Sequence, residues 1–308
     1  MKTSKNTTKT WANFACGVAL GFVGVGGALR QHQRARQRYQ KEQYTNAQRA
    51  DHGLTAAERA RPDQIPTIYV HGFRGGDYTT NKMVLSAQNA TRSDTFLKVI
   101  VNWRGELSYE GQWSTGPYPL IQIVFKDKWM PVLQIVNWLN IVLPQLKKDF
   151  GFTEYNAVGH SIGATALVRV EMRNYANDAF PKLNKLVLVA GVFDGVVALG
   201  DWPNVNRLNH EGRPVIMNPH YLQLLLGRHR FPANVSVLNI YGNIGDASNT
   251  DKYISVISAK SIRYILAPIA KTFKEVEVLG KDAEHSKLHD DDKVLNLINR
   301  FLFNHHPN

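Results

Sequence analysis

Ser161 stands between two glycines in Gly159-His160-Ser161-Ile162-Gly163, and this is the spacing in the chain best suited to covalent chemistry. It follows the apolar run Tyr155-Asn156-Ala157-Val158 and precedes the helix-like Ala164-Thr165-Ala166-Leu167-Val168-Arg169-Val170. Strand, Gly-x-Ser-x-Gly, helix is the order in which a serine sits on a sharp turn with Oγ held above a sheet. Glycines on either side remove the Cβ atoms that would collide where strand and helix meet. A serine so placed is a candidate nucleophile for acyl transfer if a base and oxyanion donors stand nearby.

The donors are expected from a second segment, Ile65-Pro66-Thr67-Ile68-Tyr69-Val70-His71-Gly72-Phe73-Arg74-Gly75-Gly76. A β-rich run ends there in a glycine-rich turn, which reads as a buried strand followed by a loop that exposes its backbone. In an acyl-transfer site such a loop supplies one N–H, and the residue after the nucleophile supplies the other. The expected oxyanion donors are the amides of Phe73 and Ile162.

A base and an acid should follow in chain order. Near the C-terminus, Glu284-His285-Ser286-Lys287-Leu288-His289-Asp290 offers two histidines between a last strand around Val276 and a last helix from Asp290 to Phe303. His285 falls in the connecting loop and is the expected general base; His289, against the helix start, is expected to cap or pack. For the acid, the strand Val235-Ser236-Val237-Leu238-Asn239-Ile240-Tyr241 runs into a loop holding both Asp246 and Asp251. Either could orient the imidazole, and spacing alone does not choose between them.

The elements that must position these residues alternate. Strand-like runs cover 65–70, 96–102, 155–158, 183–190, 235–241 and 276–279, with helical patterns at 132–148, 162–177 and 291–303. Apolar strands between amphipathic helices indicate an α/β fold with a mostly parallel sheet covered on both faces. Residues 193–232 are long for a simple connection, and with Trp202 and the run Leu222-Gln223-Leu224-Leu225-Leu226 they form a candidate cap or a packed surface excursion. Residues 103–129, with Trp113, Tyr118, Phe125 and Trp129, read as an aromatic insert that lines the other rim or simply packs.

Taken together, these pieces resemble the secreted or surface-associated α/β-hydrolases of uncharacterised function found in lactobacilli and related Gram-positive bacteria. The resemblance spans roughly 62–303. It rests on the His71-Gly72 loop, Pro119-Leu120-Ile121-Gln122-Ile123-Val124-Phe125, the Ser161 motif and Pro181-Lys182-Leu183-Asn184-Lys185-Leu186-Val187. Leu238-Asn239-Ile240-Tyr241-Gly242-Asn243-Ile244 and His285-Ser286-Lys287-Leu288-His289 complete it. It implies an α/β-hydrolase fold and a Ser-Asp-His hydrolase of unassigned substrate. Relatives usually carry Ser-Asp-Gly at the acid, which aligns Asp251 with that role; here Thr250-Asp251-Lys252 lacks the glycine. The elbow ends in Gly163-Ala164 where many relatives have two glycines.

The N-terminus reads separately. Lys2, Lys5 and Lys9 precede an uncharged apolar run over 12–29, the pattern of an export signal or an uncleaved membrane anchor. The expected divisions are therefore 1–30 signal or anchor, 31–61 polar basic linker and 62–308 catalytic domain, and the expected location is outside the cell or on its membrane. One cysteine excludes an internal disulfide. A formal net charge of +12, much of it in the head and linker, would favour an anionic membrane or cell-wall surface as a partner. Nucleic acid is not expected, for want of a recognition element, and neither a cofactor nor a metal is implied by the motifs. Oligomeric state is not encoded legibly.

The chemistry these readings favour is hydrolysis of a small-molecule or lipid-like carboxylic ester by a serine hydrolase through an acyl-enzyme. A peptidase, amidase or acyltransferase would use the same residues, and a catalytically silent cell-surface binding protein would keep the fold.

Overall fold

Strands that are apolar on both faces must be covered by helices on both sides, and the computed structural model, which describes residues 63–303, is built this way. In β1 (Thr67–Val70), Ile68 and Val70 face one core while Tyr69 faces the other. β5 (Glu154–His160) and β6 (Lys182–Val189) alternate likewise, Ala157 and Leu186 to one side, Val158 and Val187 to the opposite one.

The remaining strands of the main sheet are β2 (Leu97–Val101), β3 (Leu107–Gly111), β4 (Leu120–Phe125), β9 (Ser236–Asn243) and β10 (Thr272–Leu279). Their order is β10-β9-β6-β5-β1-β4-β2-β3, and every neighbouring pair is parallel except β2 with β3. The two longest helices on one face, α2 (Val132–Phe150) and α3 (Ile162–Arg173), bury Leu139, Leu143, Leu167 and Val170. On the other, α1 (Asp77–Thr91) and the C-terminal α8 (Asp292–Phe303) bury Met83, Val84, Leu295 and Ile298. Deleting one of these fully buried leucines to alanine costs about 2–5 kcal/mol.

Residues 193–232 hold a two-strand ribbon, β7 (Val196–Val197) with β8 (Gly200–Asp201), and α4 (Pro219–Gly227). The Asn218 side chain caps α4 by accepting from His220 N at 3.0 Å, and Pro219 needs no acceptor there. Tyr221 and Leu224 pack inward while Leu222 and Leu226 face out. After β9 come the short α5 (Val256–Lys260) and α6 (Ile262–Leu266), and α7 (His285–Leu288) follows β10.

Two expectations change. Residues 103–129 are not an insert: they contain β3 and β4, and β4 lies centrally between β1 and β2. Its Phe125 is buried, Trp113 stacks on Phe150 at 4.2 Å, and Tyr118 meets Phe303, so only Trp103 and Trp129 of these aromatics stand well out on the surface. The expectation of an exported or membrane-anchored chain is corrected in this sense: no helix among the described residues is long and apolar enough to cross a membrane. The segment 12–29 on which that expectation rests, with the divisions 1–30 and 31–61, lies outside the described residues.

Candidate active site

The turn between β5 and α3 explains both glycines around Ser161. Its backbone has φ 58° and ψ −129°, a left-handed conformation costly for a residue with a Cβ. A Cβ on Gly159 would lie 2.6 Å from Ala164 Cα, and one on Gly163 would lie 2.6 Å from the His71 carbonyl oxygen. Strand, helix and the neighbouring β1 loop thus close around the serine only because these side chains are absent. Ser161 N donates to Val189 O at 2.9 Å, so the turn is also held by β6.

Ser161 Oγ is 3.0 Å from His285 Nε2, and His285 Nδ1 is 2.7 Å from Asp251 Oδ2. In the neutral imidazole, Nδ1–H donates to the carboxylate and Nε2 accepts from the hydroxyl, the protonation a general base requires. Asp251 is 1% exposed, and its other oxygen accepts from Tyr253 N at 3.0 Å and Ile254 N at 2.7 Å. His285 N also donates to Asp251 O at 2.9 Å, which joins the two loops through the backbone as well. His285 opens α7 instead of lying in an unstructured loop.

Asp246 does not join this chain. It is solvent-exposed, and its Oδ1 accepts from the Ser248 amide and hydroxyl, bonds that hold its carboxyl below the usual range. The local turn that lacks a glycine is formed nonetheless: Lys252 takes φ 80°, and its ammonium reaches Glu284 at 2.8 Å across to the His285 segment.

The two expected oxyanion donors adjoin Ser161, Ile162 along the chain and Phe73 through its neighbour Gly72. Ile162 is the first residue of α3, so its amide is among those with no acceptor inside the helix, at the positive end of the helix dipole. Phe73 follows Gly72, whose added Cβ would meet Ser161 Cβ at 2.7 Å. The Phe73 ring is about half exposed, edge-on to Trp129 at 5.5 Å, with the Arg74 guanidinium 4.9 Å from the Trp129 ring.

Two further histidines hold the site, and their roles are invisible in the sequence. His71 donates through Nδ1 to Gly72 O at 2.9 Å and accepts at Nε2 from Phe125 N at 3.0 Å; burial pushes it down to about 4. His160 donates through Nε2 to His285 O at 3.1 Å, and its ring lies 4.8 Å from that of His285 and 4.9 Å from that of His289. Burial, then the neighbouring imidazoles, hold it well below the usual imidazole range, so it adds no charge beside His285. His289, near the end of α7, bonds Asp290 at 3.1 Å. Buried histidines beside motif glycines were the only available signal, because the partners lie 54 and 125 residues away.

A mostly parallel sheet, a serine on the turn after its fifth strand and cap-like additions after the sixth define an α/β-hydrolase. The chain belongs to the family described as alpha/beta hydrolase of unknown function (DUF915), whose profile matches residues 55–305. It is similar to the crystal structure of a Listeria innocua gene product, with 26% identity and a TM-score of 0.70 over 80% of this chain and 96% of that one. A Lactobacillus plantarum structure, described there as a candidate cell surface hydrolase, is 20% identical with a TM-score of 0.67, over 80% of this chain and 95% of that one. Comparison with the curated proteins finds no match.

Proposed function

We propose that this chain is a serine hydrolase that cleaves a carboxylic ester through an acyl-enzyme, with Ser161 as nucleophile, His285 as general base and Asp251 as the acid that orients it. The observation that carries this reading is the unbroken hydrogen-bond chain from Ser161 Oγ at 3.0 Å to His285 and at 2.7 Å from His285 to Asp251.

His285 Nε2 takes the Ser161 proton as Oγ bonds to the ester carbonyl carbon, and the carbonyl oxygen becomes an oxyanion facing the Phe73 and Ile162 amides. Nε2–H then gives that proton to the departing alkoxide, which leaves as the alcohol. Water loses a proton to His285, attacks the acyl-enzyme, and the acid departs as Ser161 is reprotonated. Asp251 stabilises the imidazolium in both halves without itself taking the proton. An ester is favoured over an amide because an alcohol leaves more readily than an amine.

The test is fluorophosphonate labelling and hydrolysis of a 4-nitrophenyl ester by the parent protein, Ser161→Ala and His285→Ala. Labelling that vanishes with Ser161→Ala, and turnover lower by roughly four orders of magnitude or more in either variant, is expected. A folded parent that neither labels nor turns over ester, while a reference serine hydrolase does both, overturns the reading.

A further inference from the structure

His160 closes β5 immediately before the nucleophile, yet its side chain serves the base. Its Nε2 donates to His285 O at 3.1 Å, and the two rings lie 4.8 Å apart. The same ring meets that of His289 at 4.9 Å and 84°. His285 and His289 stand one helical turn apart, so their side chains share a face, and His160 packs against both. All of this is enclosed, with His160 6% and His289 8% exposed.

Three bonds hold His285 besides the one from Ser161 Oγ. Nδ1 donates to Asp251 Oδ2 at 2.7 Å and the backbone N donates to Asp251 O at 2.9 Å; both tie the base to the loop of the acid. The bond from His160 ties it instead to the strand that delivers the serine. The direct link, Oγ to Nε2 at 3.0 Å, exists only while Oγ carries its proton. Once Oγ is acylated that link is gone, and Nε2 has to hold a water molecule. Of the bonds between β5 with its serine and the base, the one from His160 then remains.

We propose that His160 is a positioning residue for the second half of the reaction, holding His285 over the acyl-enzyme so that its imidazole can activate water. This rests on the hydrolase reading. In that half a water proton passes to Nε2 as the water oxygen bonds to the acyl carbon. The bond from that carbon to Oγ then breaks, Nε2–H returns the proton to Oγ, and the acid leaves. Acylation asks less of His160, because the Oγ–H to Nε2 bond itself aligns serine and base. Burial and the adjacent imidazoles keep His160 neutral, so its bond persists without repulsion when His285 takes a proton.

The test is stopped-flow release of 4-nitrophenol from 4-nitrophenyl acetate, which separates acylation from the steady rate, with the acetylated fraction read from the intact mass of quenched protein. His160→Phe keeps a ring without the donor, His160→Asn is polar but too short to reach, and His160→Gln presents an amide N–H at the reach of Nε2. In the Phe and Asn variants the steady rate should fall at least about tenfold, with acylation changed by less than about threefold. The acetylated fraction should rise above the parent's, and His160→Gln should restore most of the steady rate. Partial unfolding scales burst amplitude and steady rate together, so it cannot mimic this pattern. A steady rate unchanged in both donor-less variants overturns the proposal. So does acylation slowed as much as the steady rate with no acetylated protein gained, or a Gln variant no better than Phe. A folded parent that shows neither ester turnover nor fluorophosphonate labelling overturns the hydrolase reading itself, and this role with it.

Discussion

The imidazole of His71 accepts the Phe125 backbone amide at 3.0 Å and so fastens the turn that carries Phe73 to the end of β4. Its other nitrogen donates to Gly72 O, so the ring can do both only while neutral. His71→Ala strands a buried N–H, at a cost of about 1–3 kcal/mol before any cavity term. If Phe73 N–H receives the oxyanion, kcat of ester hydrolysis should fall more than KM rises. Burial lowers this histidine from 6.5 to about 4. A depressed folded-state value means the stability it contributes is present above 6.5 and lost as pH falls through about 4. Urea midpoints across that range should show an acid limb that flattens in His71→Gln; an unchanged limb would remove His71 from the explanation.

Asp251 and Asp246 make opposite predictions from the same loop. Asp251→Asn keeps the shape but presents an amide to His285 Nδ1, favouring the wrong tautomer, and kcat should drop by roughly 10⁴-fold. Asp246→Asn touches only Ser248 and should stay within about twofold of the parent, since surface changes away from a site are near neutral. Steady-state hydrolysis of one chromogenic ester by both variants decides the matter, and a large loss in Asp246→Asn alone would reverse the assignment.

The contrast between these two aspartates shows where sequence reading stops. The Ser161 turn was legible because its glycines are demanded by clashes within a few residues, with Ala164, and by the adjacent β1 loop. The flanking strands were legible because alternation on both faces leaves continuous apolar runs. β4 is not among the expected strands, although Leu120 to Phe125 is such a run, because it falls inside the aromatic-rich stretch 103–129 that reads as an insert. The acid was not decided by spacing, because Asp246 and Asp251 differ only in which one the fold buries against a histidine 34 residues away. The bonds of His71 and His160 are likewise long-range, so residue type alone could not announce them.

Lys252 occupies φ 80°, in the left-handed region that favours glycine. A left-handed non-glycine residue costs of order 1 kcal/mol or more, whereas its exposed pair with Glu284 returns about 0–1 kcal/mol. Lys252→Gly should therefore stabilise the fold by up to about 1 kcal/mol with little change in ester turnover. A raised urea midpoint with unchanged slope is the expected result; a lowered midpoint would show that the ion pair, and not the backbone, governs this turn.

Glu171, far along α3 from the serine, gives the fold a pH dependence of the opposite sign to that of His71. It is 4% exposed and accepts the Tyr155 hydroxyl at 2.5 Å. Burial pushes its carboxyl from 4.5 up to about 8. Between those values the folded chain holds a proton that the unfolded chain has released. Its contribution is therefore fully present below 4.5 and is lost as pH rises through about 8. Glu171→Gln keeps the shape and the acceptor for Tyr155 but cannot titrate. Relative to that variant, the parent should lose stability on the order of a few kcal/mol between about pH 5 and about pH 9, read from urea midpoints at each end. A difference between the two proteins that stays constant over this range would mean that Glu171 keeps one protonation state throughout, and the coupling of this buried pair to pH would have to be abandoned.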